Sequence, residues 1–177
     1  MRIIAGIHKG RRLKAPSWAG LRPTSDALRE TLFNILSPRM TGARVLDVYA
    51  GTGAIALEAL SRGASSAVCI EHDRRAVSLA DENRAALGED ARCMIVRDDA
   101  ARALASSLPG GPFDVIVLDP PYDQADVADV LTRAAAQRAE GAVMVLEHAS
   151  RQPPRAPSGL TITRTVRSGD SALTFFA

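Results

Sequence analysis

Short apolar segments alternate with amphipathic segments from residue 43 to residue 147. The short runs are too apolar to expose one face to solvent, and they predict buried strands at 44–49, 66–71, 92–97, 113–118 and 142–147. Apolar residues at helical spacing predict helices between them, at about 53–62, 73–87, 99–107 and 124–139. Because helical crossovers connect parallel strands, we expect an α/β fold with a mostly parallel, doubly wound sheet.

The carboxyl-terminal segment has a different pattern. Residues 160–166 (LTITRTV) and 171–176 (SALTFF) alternate apolar and polar side chains, and the turn residues Ser168, Gly169 and Asp170 separate them. Alternation around a short turn is typical of a hairpin. We therefore expect two antiparallel strands at the edge of the sheet.

The amino-terminal segment is also distinct. Residues 1–15 predict two short strands with Gly6 and Gly10 at the bend. The stretch 23–26 (PTSD) then supplies N-cap chemistry for a helix that stops near Pro38. The prediction is a small extension at 1–40 followed by a main domain at 41–177.

Composition excludes several classes of protein. With 177 residues and 46% apolar side chains, the chain is long and apolar enough for a globular core. It has no run of about 20 apolar residues for a membrane span and no apolar signal-peptide centre, so we expect a cytoplasmic protein with no membrane partner. Cys69 and Cys93 lack CxxC spacing, which favours buried free thiols and predicts no metal site.

Charge is unevenly distributed. Residues 1–44 hold nine basic and two acidic residues, a balance of +7, whereas the remainder has a balance of −5. A basic segment on an otherwise acidic chain favours a polyanionic partner such as RNA. The candidate RNA-binding residues are Arg2, Lys9, Arg11, Arg12, Lys14 and Arg22.

A glycine loop follows the first predicted strand. Gly51 to Ala56 matches GxGxxG/A, with Gly51 and Gly53 in the turn, and Glu71 lies 20 residues after Gly51, as in dinucleotide-binding proteins. Asp47, however, would repel a pyrophosphate and attract an ammonium group. We therefore interpret the loop as an S-adenosylmethionine site, with Asp47 facing the crevice and Glu71 on the ribose; the alternative is a tight turn without a ligand.

Two acidic residues at the end of another predicted strand are also candidates for this site. Asp98 and Asp99 follow the third predicted strand. Asp99 can accept the adenine amino group of the cofactor or cap the helix that follows, and the sequence leaves both open.

The fourth predicted strand ends in Asp119-Pro120-Pro121-Tyr122. Each proline keeps the preceding residue extended, and the carboxyl ends of parallel strands are where open α/β sheets bind ligands. The Asp119 carboxylate and the Pro120 carbonyl can each accept one N–H of an exocyclic amine, while Tyr122 stacks on the unstacked base. These four residues are the predicted catalytic arm; the alternative is an ordinary turn.

Several segments together resemble the RsmD family of bacterial small-subunit ribosomal RNA guanine-N2 methyltransferases. They are RIIAG, KGRRLKAP, RPTSDALRETLFNIL, VLDVYAGTGAIALEALSRGA and FDVIVLDPPY. The resemblance implies a Rossmann-like class I methyltransferase fold, S-adenosyl-L-methionine as cofactor and S-adenosyl-L-homocysteine as product. It implies that Asp47, Gly51, Gly53, Glu71 and Asp99 line the cofactor pocket.

The resemblance also places Arg22, Thr24, Asp26 and Arg29 where the extension meets cofactor and RNA, although Arg29 and Glu30 also fit a solvated helix face. The expected partner is 16S ribosomal RNA within the assembling 30S subunit, bound by a monomer. The tail departs from the pattern, because Arg167-Ser168 stands where an aromatic residue is expected before Gly169.

Three other functions remain open from the sequence. An adenine-N6 or cytosine-N4 methyltransferase acting on RNA or DNA would use the same amine clamp. A non-catalytic RNA-binding assembly factor would use only the basic extension. A nicotinamide enzyme would use only the glycine loop.

Overall fold

A computed structural model describes residues 1–18, 26–121 and 124–177. Within these ranges, seven strands form one sheet in the order β3-β2-β1-β4-β5-β7-β6. β1 to β5 run parallel to one another, and β7 is antiparallel to both β5 and β6. The strands are β1 (Arg44–Val48), β2 (Ser66–Glu71), β3 (Cys93–Arg97), β4 (Phe113–Leu118), β5 (Arg138–Ala149), β6 (Ile162–Ser168) and β7 (Ser171–Phe176).

Helices cover both faces of the sheet. They are α1 (Asp26–Leu36), α2 (Ala54–Ser61), α3 (Arg74–Leu87), α4 (Ala100–Ala103) and α5 (Val127–Ala135), and a 3-10 turn at Ser37–Arg39 follows α1. Side chains of α1, α2 and α3 share one buried core with the strands, and those of α4 and α5 share a second core. The predicted doubly wound sheet is therefore confirmed.

Alternation along β1 shows how a single strand serves both cores. Val45 packs in the first core, and Leu46 and Val48 pack in the second. Successive side chains of a strand point to opposite faces. Asp47 consequently points to the same face as Val45, towards α2.

Most predicted elements are observed close to their expected bounds. β2, β4 and β7 match at both ends, and the hairpin turns at Gly169 with a φ of 61°. The predicted helix at 99–107 shortens to the four residues of α4. β5 begins at Arg138, inside the predicted helix at 124–139, because Arg138 pairs with Phe113 of β4.

The amino-terminal segment packs on the face of the sheet that α1, α2 and α3 cover. Ile3 and Leu13 are buried in the same core as α1 and α2, and the two predicted strands reduce to a single antiparallel bridge between Arg2 and Arg12. The division at residue 40 stays a prediction. The expected cap residues 23–25 lie outside the described residues, and α1 begins at Asp26.

A buried carboxylate fixes this segment in place. Glu58 of α2 is fully buried and accepts hydrogen bonds from the amides of Ile4 (2.7 Å) and Ala5 (3.0 Å). Its partner Arg62 neutralises the charge at 2.7 Å. A buried charge is tolerated when it is paired and hydrogen-bonded in this way.

The chain between β5 and β6, residues 150–161, contains no helix. We call this segment the connector. Its Pro157 and Leu160 are buried, and Leu160 packs in the second core. The connector therefore covers the sheet beside α5 in place of a helix. None of the helices in the described ranges is long and apolar enough to cross a membrane.

Candidate active site

Three carboxylates meet at the carboxyl ends of β1, β2 and β4. Asp47 is level with Cys69 of β2 and with Val117 of β4. Glu71, the last residue of β2, and Asp119, the first residue after β4, each lie two residues further along. Both carboxylates contribute to the raised pKa of Asp47. The structure thus brings together three residues that the sequence places far apart.

The glycine loop turns the chain from β1 into α2. Tyr49, Gly51 and Gly53 all have positive φ values, of 67°, 55° and 76°. Glycine adopts this conformation without steric cost, whereas tyrosine does not. The Gly53 amide donates to the Ala50 carbonyl at 2.8 Å, and α2 starts at the next residue.

Glu71 supports this loop from the neighbouring strand. Its Oε2 accepts the Gly51 amide at 2.9 Å, and its Oε1 accepts the Asp73 amide at 2.8 Å. The side chain is 5% exposed. Each carboxylate oxygen can accept two hydrogen bonds, so these contacts leave acceptor capacity for a ligand hydroxyl.

Asp47 lies beneath the loop and does not face the crevice as expected. The side chain is fully buried, because Asp47 shares the face of β1 that packs on α2. Its Oδ2 accepts the Ala56 amide at 3.1 Å, and its Oδ1 has no hydrogen-bond partner among the described residues. Burial, aided by Asp119 and Glu71, raises the pKa of Asp47 to about 8.

Asp99 caps α4. Its backbone is extended and its side chain accepts the Arg102 amide at 3.1 Å, while Asp98 pairs with the Arg102 guanidinium. The capping alternative is therefore realised. Asp99 is exposed at the strand edge, and its contact with adenine stays a prediction.

The predicted catalytic arm starts directly beside β1. The Asp119 amide donates to the Val48 carbonyl at 3.2 Å, which extends the β1–β4 ladder by one bond. Asp119 is half-buried, Pro120 is buried and Pro121 is exposed. Tyr122 lies outside the described residues.

The five described basic candidates of the extension, Arg2, Lys9, Arg11, Arg12 and Lys14, are all exposed. Lys14 pairs with Glu82 at 2.6 Å, and Arg11 donates to the Ala86 carbonyl at 2.5 Å, so both lie along α3. Arg22 lies outside the described residues.

Arg29, which the sequence also fits to a solvated helix face, is fully buried. It donates to the Arg2 carbonyl at 2.5 Å and to Asp26 at 2.9 Å, and burial lowers the pKa of its guanidinium. Arg29 therefore ties α1 to the extension. The solvated-face interpretation is wrong for this residue.

Two residues near the site escaped the sequence analysis. Asn83 is 1% exposed and binds both the extension and the glycine loop. Its position continues the buried stripe of α3 formed by Ala76, Leu79 and Leu87, so a polar residue within an apolar stripe was the available signal. Tyr49 has a buried hydroxyl with no partner among the described residues.

The two cysteines lie on neighbouring strands, Cys69 on β2 and Cys93 on β3. Their sulfur atoms are 4.0 Å apart, and both thiols are free and buried, as predicted. The contact with Cys93 and burial raise the pKa of Cys69. Within the described part of the chain, no group of three or more His, Cys, Asp or Glu side chains could hold a metal ion.

Comparison with known proteins gives a family match over the whole chain and shorter matches to individual relatives. A family model described as conserved hypothetical protein 95 matches residues 1–177. Ribosomal RNA small subunit methyltransferase D of Escherichia coli K12 is 43% identical over 122 residues, which cover 69% of this chain and 60% of the relative. Its Haemophilus influenzae namesake is 36% identical over 123 residues, 69% of this chain and 64% of the relative. These alignments span less than two thirds of either relative.

Solved structures match over almost their entire length. The Escherichia coli protein yhhF superposes with a TM-score of 0.88 at 34% identity and covers 99% of this chain and 96% of that chain. A hypothetical protein of Thermus thermophilus superposes with a TM-score of 0.80 at 32% identity, with 99% and 98% covered. The whole described architecture, including the extension, therefore recurs in these proteins.

Proposed function

Because the chain belongs to the RsmD family, we propose that it transfers a methyl group from S-adenosyl-L-methionine to the exocyclic N2 amine of a guanine in small-subunit ribosomal RNA. The predicted Rossmann-like class I methyltransferase fold is confirmed by the sheet order and by the solved relatives. The observation that carries the proposal is the hydrogen bond from Asp119 to Val48, which holds the DPP arm against the end of β1 and its glycine loop.

The residues at the strand ends fit this cofactor. The Glu71 carboxylate retains acceptor capacity for the two ribose hydroxyls. Asp47 would act beneath the glycine loop, where its Oδ2 accepts the Ala56 amide and holds the start of α2, and it would not touch the ligand. When bound, S-adenosylmethionine supplies the methyl group.

The arm would act on the amine. The Asp119 carboxylate and the Pro120 carbonyl would each accept one N–H and so hold the nitrogen towards the methyl donor. The same carboxylate stabilises the positive charge that develops on nitrogen, and it can take the proton lost when the carbon–nitrogen bond forms. Pro120 and Pro121 have no amide hydrogen to compete for these acceptors.

The exposed basic residues of the extension would bind phosphates of the RNA. Phosphate contacts supply affinity that weakens with salt and carries no sequence information. Choice of one guanine would then depend on RNA shape within the assembling 30S subunit. We place the protein in the cytoplasm, where this substrate is made, and expect it to act as a monomer.

The test is methyl transfer from labelled S-adenosylmethionine to small ribosomal subunits from a strain that lacks this gene, followed by digestion and identification of the nucleoside. We expect label in N2-methylguanosine, lost in Asp119→Ala. Asp114→Ala is the matched control, because Asp114 lies at the opposite end of β4 and pairs with Arg44 at the surface. Label in N6-methyladenosine, or no label, would refute the proposal.

A further inference from the structure

A cleft of about 350 Å³ lies beside α5. Its walls are the arm, one side of α5, the end of β5 and the connector. Apolar side chains dominate the lining, among them Pro120, Pro121, Val127, Leu131, Leu146 and Pro157. The volume is near the lower end of the range for small-molecule sites, and it suits one nucleotide better than a helix of a protein partner.

The cleft is separate from the candidate cofactor site. None of Asp47, Glu71 and Asp119 lines it, and among the described residues the two sites share only the prolines of the arm. A ligand in the cleft therefore packs against the prolines of the arm and does not lie among the clustered carboxylates. Such a ligand cannot be the group that receives the methyl at Asp119, but it can be its neighbour.

The walls of the cleft are built into the fold. Pro157 and Leu160 anchor the connector in the second core. At the inner end, His148 contacts the Ala149 carbonyl through Nδ1 at 2.9 Å and the Thr174 hydroxyl through Nε2 at 2.8 Å. With both ring nitrogens engaged, His148 is held as a fixed wall, so a ligand would meet a preformed slot.

Two charged residues line the cleft. Arg155 is exposed, and Glu147 is buried at the end of β5. Residues 150–169 contain four arginines and no acidic residue, although the chain after residue 44 is acidic overall. Within the described ranges, none of the four forms an ion pair. An apolar slot with the exposed guanidinium group of Arg155 in its lining suits a planar base attached to a phosphate.

We propose that this cleft binds the base of a nucleotide next to the methylated guanosine in single-stranded RNA, with its phosphate at Arg155. The inference rests on the proposed function for the identity of the RNA. The arm then contacts two bases: the target at Asp119, and a neighbour packed against the prolines. The binding energy of the neighbour holds the RNA strand open where the target leaves its stack.

The test fills the cleft from its exposed side. Ala128 lines the cleft and is exposed, so Ala128→Phe obstructs the slot without altering a buried position. Ala136→Phe is the matched control, since Ala136 is exposed at the end of α5, about 12 Å along the helix axis, and lies outside the lining. Melting temperature and calorimetric binding of S-adenosylhomocysteine should be the same in both variants and in the wild type.

The probe is a set of seven-nucleotide RNAs with a central guanosine and 2-aminopurine at one flanking position in turn. We expect a saturable fluorescence change at one flanking position. Ala128→Phe should abolish that change and weaken binding about tenfold, and Ala136→Phe should preserve both. Arg155→Gln should weaken binding and reduce its salt dependence by about one charge.

Two outcomes separate this proposal from the proposed function. If Ala128→Phe binds the RNAs and methylates small subunits as well as the wild type does, the cleft has no such role, although the methyl transfer stands. If the wild type shows the fluorescence change but methylates no RNA, the nucleotide site stands and the proposed activity fails. If Ala128→Phe bound the RNAs as well as the wild type does but lost binding to a protein component of the small subunit, the cleft proposal would also be overturned.

Discussion

Asn83 holds the backbone of Lys14 at both of its polar groups: its Oδ1 accepts the Lys14 amide at 2.7 Å, and its Nδ2 donates to the Lys14 carbonyl at 3.1 Å. The same Nδ2 donates to the Thr52 carbonyl of the glycine loop at 3.1 Å. One buried amide therefore joins the basic extension to the loop. Movement of either segment strains the bonds to the other.

We predict that Asn83→Leu lowers both stability and cofactor affinity. Three backbone groups lose their partner, which should reduce the free energy of unfolding by about 2 kcal/mol. Urea denaturation and calorimetry with S-adenosylhomocysteine measure the two effects. Ser78→Leu, at an exposed position of the same helix, is the control. Equal cofactor affinity in Asn83→Leu and the wild type would show that the extension and the loop are independent.

Gly6 and Gly10 offer a matched pair of substitutions. Both have a φ of 84°, but a Cβ on Gly6 would lie 1.8 Å from the Ser61 carbonyl oxygen, whereas one on Gly10 would meet nothing within 4 Å. Gly10→Ala should cost about 1 kcal/mol, from the left-handed backbone alone. Gly6→Ala should cost at least about 3 kcal/mol, because the extension must lift from α2.

Thermal denaturation and RNA binding measure this pair. Gly6→Ala should also weaken RNA binding several-fold, since it displaces the basic residues, and Gly10→Ala should not. Similar melting temperatures for the two variants would mean that the extension does not pack on α2 as described.

Asp47 predicts a pH dependence of stability. Its pKa is about 8 in the folded protein against an ordinary value of 3.8, so the folded state holds a proton that the unfolded state releases. The protonated side chain therefore adds to the free energy of unfolding. This contribution is complete below about pH 4, decreases by ~1.4 kcal/mol per pH unit between about pH 4 and about pH 8, and is absent above that range. Asp47→Asn mimics the protonated form and should lack this decrease.

Urea denaturation from pH 5 to pH 9 compares the two proteins without ligand. We expect the variant to become progressively more stable than the wild type as the pH rises. Parallel curves would show that Asp47 is ionised throughout this range.

Glu71→Gln tests the support of the glycine loop. A glutamine keeps one acceptor oxygen but directs an NH2 group at the amide of Gly51 or Asp73, which leaves that amide unpaired. We expect a tenfold or greater loss of S-adenosylhomocysteine affinity, corresponding to ~1.4 kcal/mol or more. Glu82→Gln on the exposed face of α3 is the control for a lost charge. An unchanged affinity in Glu71→Gln would remove Glu71 from the binding site.

The predictable part of the fold follows from local pattern. β2 and β4 are short apolar runs bounded by polar residues, and the turn at Gly169 has the required positive φ, so their bounds could be read directly. The start of β5 could not, because residues 136–139 are helix-forming in composition. Pairing of Arg138 with Phe113 overrides that local preference.

The site was predictable in its residues but not in its geometry. The sequence brings Asp47 and Glu71 to one edge of the sheet, since the carboxyl ends of parallel strands coincide. That Asp47 points under the loop follows only when Val45 is known to face α2. Asn83 and the cleft depend on how α3, the extension and the connector pack, which no local pattern specifies.

The edge strand β6 has a further consequence for the protein in concentrated solution. Within the described part of the chain, one long side of this strand has no neighbouring strand, and its Arg164 and Arg167 are exposed. Open sheet edges invite pairing between molecules, and charged side chains on them oppose it. Two copies that joined along β6 would bring arginines close together, and like charges facing each other destabilise a strand pair. The arginines therefore protect the free edge against aggregation.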